Sequence, residues 1–326
     1  MMPLISFVIT YHNEPKDFLM ACLQSIRALP LRQGEAEIIV VDDGKTLSDF
    51  PLADAIHVPQ EQAGLSVARN TGISFARGQY IQFIDADDSL IPSAYESVLK
   101  EVRKGESDIV LFKMSTVPSP PSLNGNASLS RRPPILDKRQ SRPFPPPFEG
   151  TREARSFPAD SPSLGVSGGG FYLQHHNLRA AAWGYAFRKE TLGDLRFFPG
   201  LLHEDELFTP QLFLRANTLV ELNLRAYFYR QHAGTITSSK SAEQIHKRLE
   251  NIHFIIRELQ SLANPLLERR IHQLTADYLQ KVWTLTHSFS ELRRRARNLH
   301  YEGFLPLPLR CYSLRYSLIS LFSRLI

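Results

Sequence analysis

Over the first ninety positions, short unbroken apolar runs alternate with stretches in which apolar residues recur every three or four places. Leu4 to Ile9 is one such run and ends at the polar cluster Thr10 to Glu14. It is short, rich in β-branched residues and bounded by polar ones, which predicts a buried strand followed by a loop. After Pro15, which sits where a helix can begin, Leu19, Cys22, Leu23 and Ile26 share one helical face. Glu37 to Val41 predicts a second strand, closed by Asp42, Asp43 and Gly44, and Ile56 to Val58 a short third one. Between Gly64 and Gly78, residues Leu65, Ala68, Gly72 and Phe75 line up on one helical face, with Gly78 the expected terminator. Tyr80 to Ile84 predicts a further strand, which runs directly into Asp85, Asp87 and Asp88. Alternating strands and helices predict an α/β fold with a mostly parallel central sheet covered on both faces.

Beyond this region Ser93 to Lys104 reads as a helix and Asp108 to Met114 as a strand. From 117 to 165 the composition turns to Pro, Ser and Arg, with little that could form a core, and predicts an insertion or lid-like loop. Periodic structure resumes near Phe171. Leu207, Phe208, Leu212 and Phe213 mark an amphipathic helix whose start carries Glu204, Asp205 and Glu206. A helix N-terminus favours acids, and that is sufficient cause for them. Leu219 to Tyr229 predicts a strand, followed by a polar loop that includes Arg230 and His232. From Ser241 the chain is helical, with one apolar stripe from Ile245 to Leu259 and another from Ile271 to Leu285. The expected division is a domain over 1–240 containing the 117–165 insertion, and a helical region over 241–326.

Composition narrows the function classes. With 43% hydrophobic and 22% charged residues, 326 residues suit one large α/β domain with an appendage. The net charge of +5 permits anionic ligands without choosing among nucleotides, lipids and nucleic acid. No nucleic-acid-binding signature accompanies it, so nucleic acid is not an expected partner. Two cysteines, Cys22 and Cys311, form neither a disulfide framework nor a zinc pattern, which points to a reducing compartment. The N-terminus lacks the pattern of a signal peptide, and no run of about 18 apolar residues suggests a spanning helix. The segment 304–326 mixes Leu, Ile, Phe and Tyr with Arg310, Arg315 and Arg324 and contains no acid. That composition suits either a helix lying on an anionic membrane surface or a tail packed on the preceding helices.

The chemistry concentrates at strand ends. An apolar strand wants burial, but carboxylates cannot follow it inside unpaired, so Asp85, Asp87 and Asp88 must emerge at a cleft. Taken alone they amount to an acidic turn. Three strands, however, end in polar or acidic residues, and ligands of parallel sheets sit beyond the carboxyl ends of the strands. Clustered hard oxygen donors there suit Mg²⁺ or Mn²⁺ bound together with a phosphate. No P-loop and no dinucleotide-binding glycine turn is present.

Four stretches taken in order, S-F-V-I-T-Y-H-N-E, I-I-V-V-D-D-G, the run G-L-S-V-A-R-N-T-G through F-I-D-A-D-D, and H-E-D-E-L-F, resemble the family-2 glycosyltransferases of the bacterial capsule and lipopolysaccharide type. The resemblance spans roughly Leu4 to Ser239 without the Pro-rich insertion. It implies the nucleotide-sugar-binding GT-A fold and an inverting, metal-dependent transfer from a UDP-sugar. The acceptor it implies is a saccharide, lipid-linked if the C-terminal tail meets a membrane. By the same resemblance Thr10, Glu14, Asp42, Arg69 and Asp85 line the donor nucleotide. Asp42 would meet the base, Arg69 the base and phosphate, and Asp85 the ribose. Asp87 holds the divalent cation, Mn²⁺ or Mg²⁺, and Asp205 is the general base. Arg230 and His232 belong to a loop that closes over the diphosphate. The resemblance assigns Asp88 no role. The expected location is cytoplasmic, and peripheral on the inner face of the cytoplasmic membrane if 304–326 meets a membrane rather than packing on the preceding helices. A nucleotidyltransferase and a degenerate, non-catalytic nucleotide-sugar binder are the competing readings.

Overall fold

The computed structural model describes residues 2–116, 164–231 and 241–325. Strand β1 (Ile5–Tyr11) leads into α1 (Lys16–Arg27), β2 (Ala36–Asp43), β3 (Ile56–Gln60), α2 (Leu65–Phe75) and β4 (Tyr80–Asp85). The two-residue β5 (Ser89–Leu90), α3 (Pro92–Lys104) and β6 (Ile109–Ser115) follow. Of the expected Pro-rich insertion, 117–163 lies outside the described residues, and β7 (Leu164–Ser167) begins inside its expected end. Then come α4 (Gly169–His175), β8 (Tyr185–Arg188) between two 3₁₀ turns, α5 (Asp205–Arg215) and β9 (Leu219–Phe228). The chain continues through α6 (Ala242–Ser261), α7 (Glu268–Thr286), α8 (Phe289–Tyr301) and α9 (Leu314–Phe322).

One sheet takes up all the strands of the described residues, in the order β3-β2-β1-β4-β8-β6-β9-β5, with β7 also on β9. The N-terminal strands β3, β2, β1 and β4 run parallel, as the strand–helix alternation requires. Past β4 the sheet is mixed: β8 is antiparallel to β4 and β6, whereas β6 and β9 are parallel. Because successive side chains of a strand point to opposite faces, β1 feeds two cores. Ile5, Phe7, Ile9 and Tyr11 pack with residues of α1 and α3, such as Leu19, Leu23, Val98 and Leu99. Val8 packs on the other side with Ala68 and Ile73 of α2. That second cluster runs on through α5 into Leu249, Ile256, Leu274 and Val282, so the helices after Ser241 share a continuous core with the sheet.

Helix α2 departs from its predicted face. It stops at Phe75, and Ala76 in extended backbone caps it, so Gly78 is not its terminator. Phe75 is exposed, while Arg69 and Ile73 turn inward beside Ala68 and Gly72. A helical period cannot tell which side of a short helix faces the sheet when both edges of the stripe carry apolar residues. Gly78 serves a close crossing instead. A Cβ there would stand 2.6 Å from the Ser6 amide nitrogen and 2.8 Å from the Ile5 carbonyl carbon. Its amide donates to Ser6 Oγ at 2.8 Å, tying the turn that delivers β4 alongside β1.

Since the blocking atoms are backbone, Gly78→Ala is expected to cost about 1–3 kcal/mol, as overpacking does. Urea unfolding should show a lower midpoint with an unchanged slope; an unchanged midpoint would mean that the crossing is looser than described.

Candidate active site

The parallel register sets the polar strand ends side by side. Thr10 stands opposite Val41 on one side and Asp85 on the other, and Tyr11 stands opposite Asp42. Asp42 is fully buried and closes the turn after β2. Its oxygens accept from the Thr46 and Leu47 amides at 3.0 and 2.9 Å, and His57 Nε2 lies 3.1 Å away. Burial works against its ionisation, but these donors outweigh it and hold the carboxyl below the usual carboxylate range. Asp43 is engaged likewise, accepting from Gln60 Nε2 and from the Ala63 and Gly64 amides just before α2. The loop after β1 carries Glu14, which accepts from the His12 amide at 2.6 Å. Burial, then the charges of Asp87 and Asp85, raise the Glu14 carboxyl above its ordinary value.

Arg69 lies at the centre of the site and is 3% exposed. Its guanidinium donates to Asp85 Oδ1 at 3.0 Å and makes a short ion pair with Glu204, 135 residues further along the chain. The aromatic rings of Phe83 and Phe197 lie 5.8 and 5.3 Å from the guanidinium carbon. Burial alone would lower its proton affinity, yet the carboxylates of Glu204, Asp85 and Asp205 reverse the sign and raise it. The start of α5 is pinned on both sides of Asp205. Glu204 holds Arg69, and Glu206 makes a short ion pair with the buried Arg270 of α7. His203, at φ 62°, supplies the left-handed turn that aims this acidic start. The Asp205 carboxyl makes no hydrogen bond or ion pair among the described residues. Burial, then the neighbouring charges of Glu204 and Glu206, push its carboxyl well up, with only Arg69 opposing. Asp85 is raised as well, by burial against the pull of Arg69 and with a further push from Asp87.

Sequence reasoning left Asp88 without a task, and the structure gives it one. Fully buried, it accepts from Tyr227 Oη at 2.8 Å and from the Arg230 amide at 2.7 Å. Tyr227 Oη accepts in turn from the Asp85 amide at 3.2 Å, and Arg230 Nε donates to the Asp87 carbonyl at 2.8 Å. The Arg230 guanidinium rests 4.3 Å from the Phe18 ring. The acidic turn is thereby knotted to the end of β9. Burial, then Asp85, raises the Asp88 carboxyl to about 8. A third acid directly after D-A-D was the only sequence signal for this knot, because its partners lie far along the chain. His232 lies outside the described residues.

Thr10, Glu14, Asp85, Asp87 and Asp205 thus belong to one acidic neighbourhood, with Arg69 beneath it and Arg230 at its edge. Among the described residues no ready-made cluster of three ligating side chains holds a metal. The donors present are carboxylate oxygens, the type hard divalent cations take, and the charge of Asp87 bears on both Glu14 and Asp85 in a way a cation relieves. On chemistry the residues fit such an ion, completed by ligand or water oxygens.

Comparison with known proteins adds to this geometry. Residues 6–154 match the family model described as Glycosyl transferase family 2. The uncharacterized glycosyltransferase EpsJ of Bacillus subtilis is 36% identical over 150 residues, covering 40% of this chain and 41% of that protein. Glycosyltransferase GlyA of Streptococcus pneumoniae is 26% identical over 270 residues, covering 80% of this chain and 35% of its own length. The chain therefore spans well under half the length of these two relatives. Staphylococcus aureus TarS 1-349, solved in complex with UDP-GlcNAc, superposes with a TM-score of 0.63 at 18% identity, over 98% of this chain and 91% of that one. The fold is the GT-A fold.

Arg69→Met keeps volume but leaves the buried Glu204 and the partly buried Asp85 without their cation. It is expected to cost about 3–5 kcal/mol, the penalty for breaking a buried pair. Urea unfolding checks this; a loss below about 1 kcal/mol would put the pair in the class of surface bridges.

Proposed function

The chain belongs to glycosyl transferase family 2, and from that premise we propose that it transfers a sugar from a UDP-sugar to a saccharide acceptor, with inversion at the anomeric carbon. The observation that carries this reading is the pairing of one buried arginine with both the D-x-D strand end and the acidic start of α5. The donor-side acid Asp85 and the residue just before the candidate base Asp205 are joined in this way, which supports reading them as one reaction site.

In this reading the donor nucleotide lies over the ends of β1, β2 and β4. Thr10 and Glu14 line it, and Asp85 takes the ribose. Asp42 and Arg69 act from beneath. Asp42, with its oxygens engaged by Thr46, Leu47 and His57, shapes the turn against which the base rests. Arg69 holds Asp85 and the start of α5 at a fixed separation. Arg230 closes the diphosphate end, and His232, outside the described residues, is assigned there with it. A divalent cation, Mn²⁺ or Mg²⁺, carried by Asp87 would neutralise the charge of the departing nucleoside diphosphate.

Asp205 accepts the proton of the acceptor hydroxyl as its oxygen attacks the anomeric carbon. The carbon–oxygen bond to the diphosphate breaks on the opposite side, and the electron pair leaves with the diphosphate. One base and one displacement predict inversion, as in inverting glycosidases. A carboxylate whose proton affinity is raised by burial is a stronger base than a solvated one, provided that it is ionised at working pH. In this reading the acceptor is a saccharide or a lipid-linked saccharide of cell-surface polysaccharide synthesis, the lipid-linked form being met at the inner face of the cytoplasmic membrane. No helix among the described residues is long and apolar enough to cross a membrane. The intact Asp85, Asp87 and Asp205 support turnover over a binding-only role.

A panel of nucleotide sugars screened for nucleotide release, with and without saccharide acceptors, tests the reading. One UDP-sugar should be consumed by the wild type and spared by Asp205→Asn, which should still bind it. The acid limb of the wild-type rate should lie above the ordinary carboxylate range near ~4, because activity is lost as Asp205 takes up its proton. Turnover by Asp205→Asn at the wild-type rate would move the base elsewhere, with Glu204 next to be tested.

A further inference from the structure

Helix α9 (Leu314–Phe322) is amphipathic in the reverse of the usual sense. Tyr316, Ser320 and Ser323, spaced four and three residues apart, face inward and are buried. Leu314, Leu318, Leu321 and Leu325 follow the same spacing on the other side and are 78%, 60%, 55% and 81% exposed. Scattered exposed leucines are ordinary on protein surfaces, but an aligned row of four is a contiguous apolar strip. Phe322 adds to it, and Leu309 is exposed just upstream.

The orientation is held by specific bonds. Ser320 Oγ donates to the Leu307 and Pro308 carbonyls at 3.1 and 3.0 Å. Ser323 Oγ accepts from the Leu307 amide at 3.1 Å, and Tyr316 Oη donates to the Pro308 carbonyl at 3.0 Å. Leu305 and Leu307, buried, anchor that receiving segment in the core. The serine face is therefore built to dock inward, and the leucine strip is left outward by construction.

Charge selects what covers it. From Gly303 to Leu325 there is no acid, while Arg310, Arg315 and Arg324 flank the strip. Arg315 is paired with Asp277 of α7, and Arg324 reaches the Leu307 carbonyl at 3.4 Å. Arg310 lines a cavity of about 650 Å³ together with Arg269, His272 and Tyr312, with Glu268 on its wall. A second copy docking through this strip in a two-fold arrangement would set the arginines of one against those of the other. An anionic bilayer offers the opposite complement, acyl chains for the leucines and phosphates for the arginines.

We propose that the exposed row of Leu314, Leu318 and Leu321 on α9, continued by Leu325 in the turn after it, is a docking surface for an anionic lipid bilayer, on which the protein rests peripherally. The proposal stands apart from the sugar chemistry assigned above, and its test does not read catalysis.

The test is co-sedimentation of the full chain with vesicles of phosphatidylcholine alone and with vesicles of equal parts phosphatidylcholine and phosphatidylglycerol. The wild type should pellet with the anionic vesicles, weakly with the neutral ones, and less as salt is raised. The double variant L318S/L321S changes only exposed side chains and should keep its circular dichroism and its mass in solution. Its partition onto anionic vesicles should fall at least about tenfold, as expected for two leucines kept from the acyl region. Wild type that stays in the supernatant with anionic vesicles would overturn the proposal, as would equal pelleting of the variant. A wild-type dimer that L318S/L321S converts to a monomer would also overturn it, by making the strip an interface between copies.

Discussion

A single buried guanidinium organises this site. Arg69 is removed from water, and no isolated charge of that kind survives inside a protein. Its placement is tolerable only because Asp85, at the end of β4, and Glu204, at the start of α5, both reach it. The constraint runs the other way as well. One cation faces the carboxylates of Asp85, Glu204 and Asp205 and cannot compensate all of them. Asp205, which has no ion pair among the described residues, is left with a raised proton affinity. The imbalance that makes Arg69 indispensable is the same one that leaves a basic carboxylate at the cleft.

The rest of the fold braces this arrangement. Gly78 lets β4 come alongside β1, which puts Asp85 next to Thr10. Asp88, through Tyr227 and the Arg230 amide, fixes the acidic turn to β9. Arg270 of α7 clamps Glu206, so the helices after Ser241 are part of what positions Asp205. The continuous apolar cluster from α2 through α5 to α7 provides the mechanical support.

Much of this was legible in the sequence. The strands β1, β2 and β4 are apolar runs that stop at polar residues, and buried parallel strands have no other way to end at a cleft. The acids at 85, 87 and 205 stand out at the edges of patterned segments, but by themselves they read as an acidic turn and a charged helix start, and only the family resemblance gives them roles. Pairwise partners were not readable. Nothing local to Arg69 announces Glu204, and nothing local to Asp88 announces Tyr227, since both pairings depend on how the sheet brings distant segments together. Asp42 illustrates the same limit from the other side: from sequence it is a strand-end acid open to a ligand, whereas the fold occupies its oxygens with Thr46, Leu47 and His57. The face of α2 was half legible, because Phe75 and Ile73 fit a helical stripe equally well and only packing on β1 chooses between them. For 304–326 the composition offered membrane contact and core packing as rivals; α9 packs its Tyr316 and Ser320 side inward and leaves its leucine row exposed.

The central claim is that the acids around Arg69 form the donor site, and the most direct measurement is a crystal structure of the chain grown with UDP and Mn²⁺. The account predicts the nucleotide over the ends of β1, β2 and β4, with its ribose at Asp85 and its diphosphate joined through the ion to Asp87, and Asp205 facing the open end beyond the phosphates. A diphosphate bound elsewhere, or an ion held without Asp87, would contradict it.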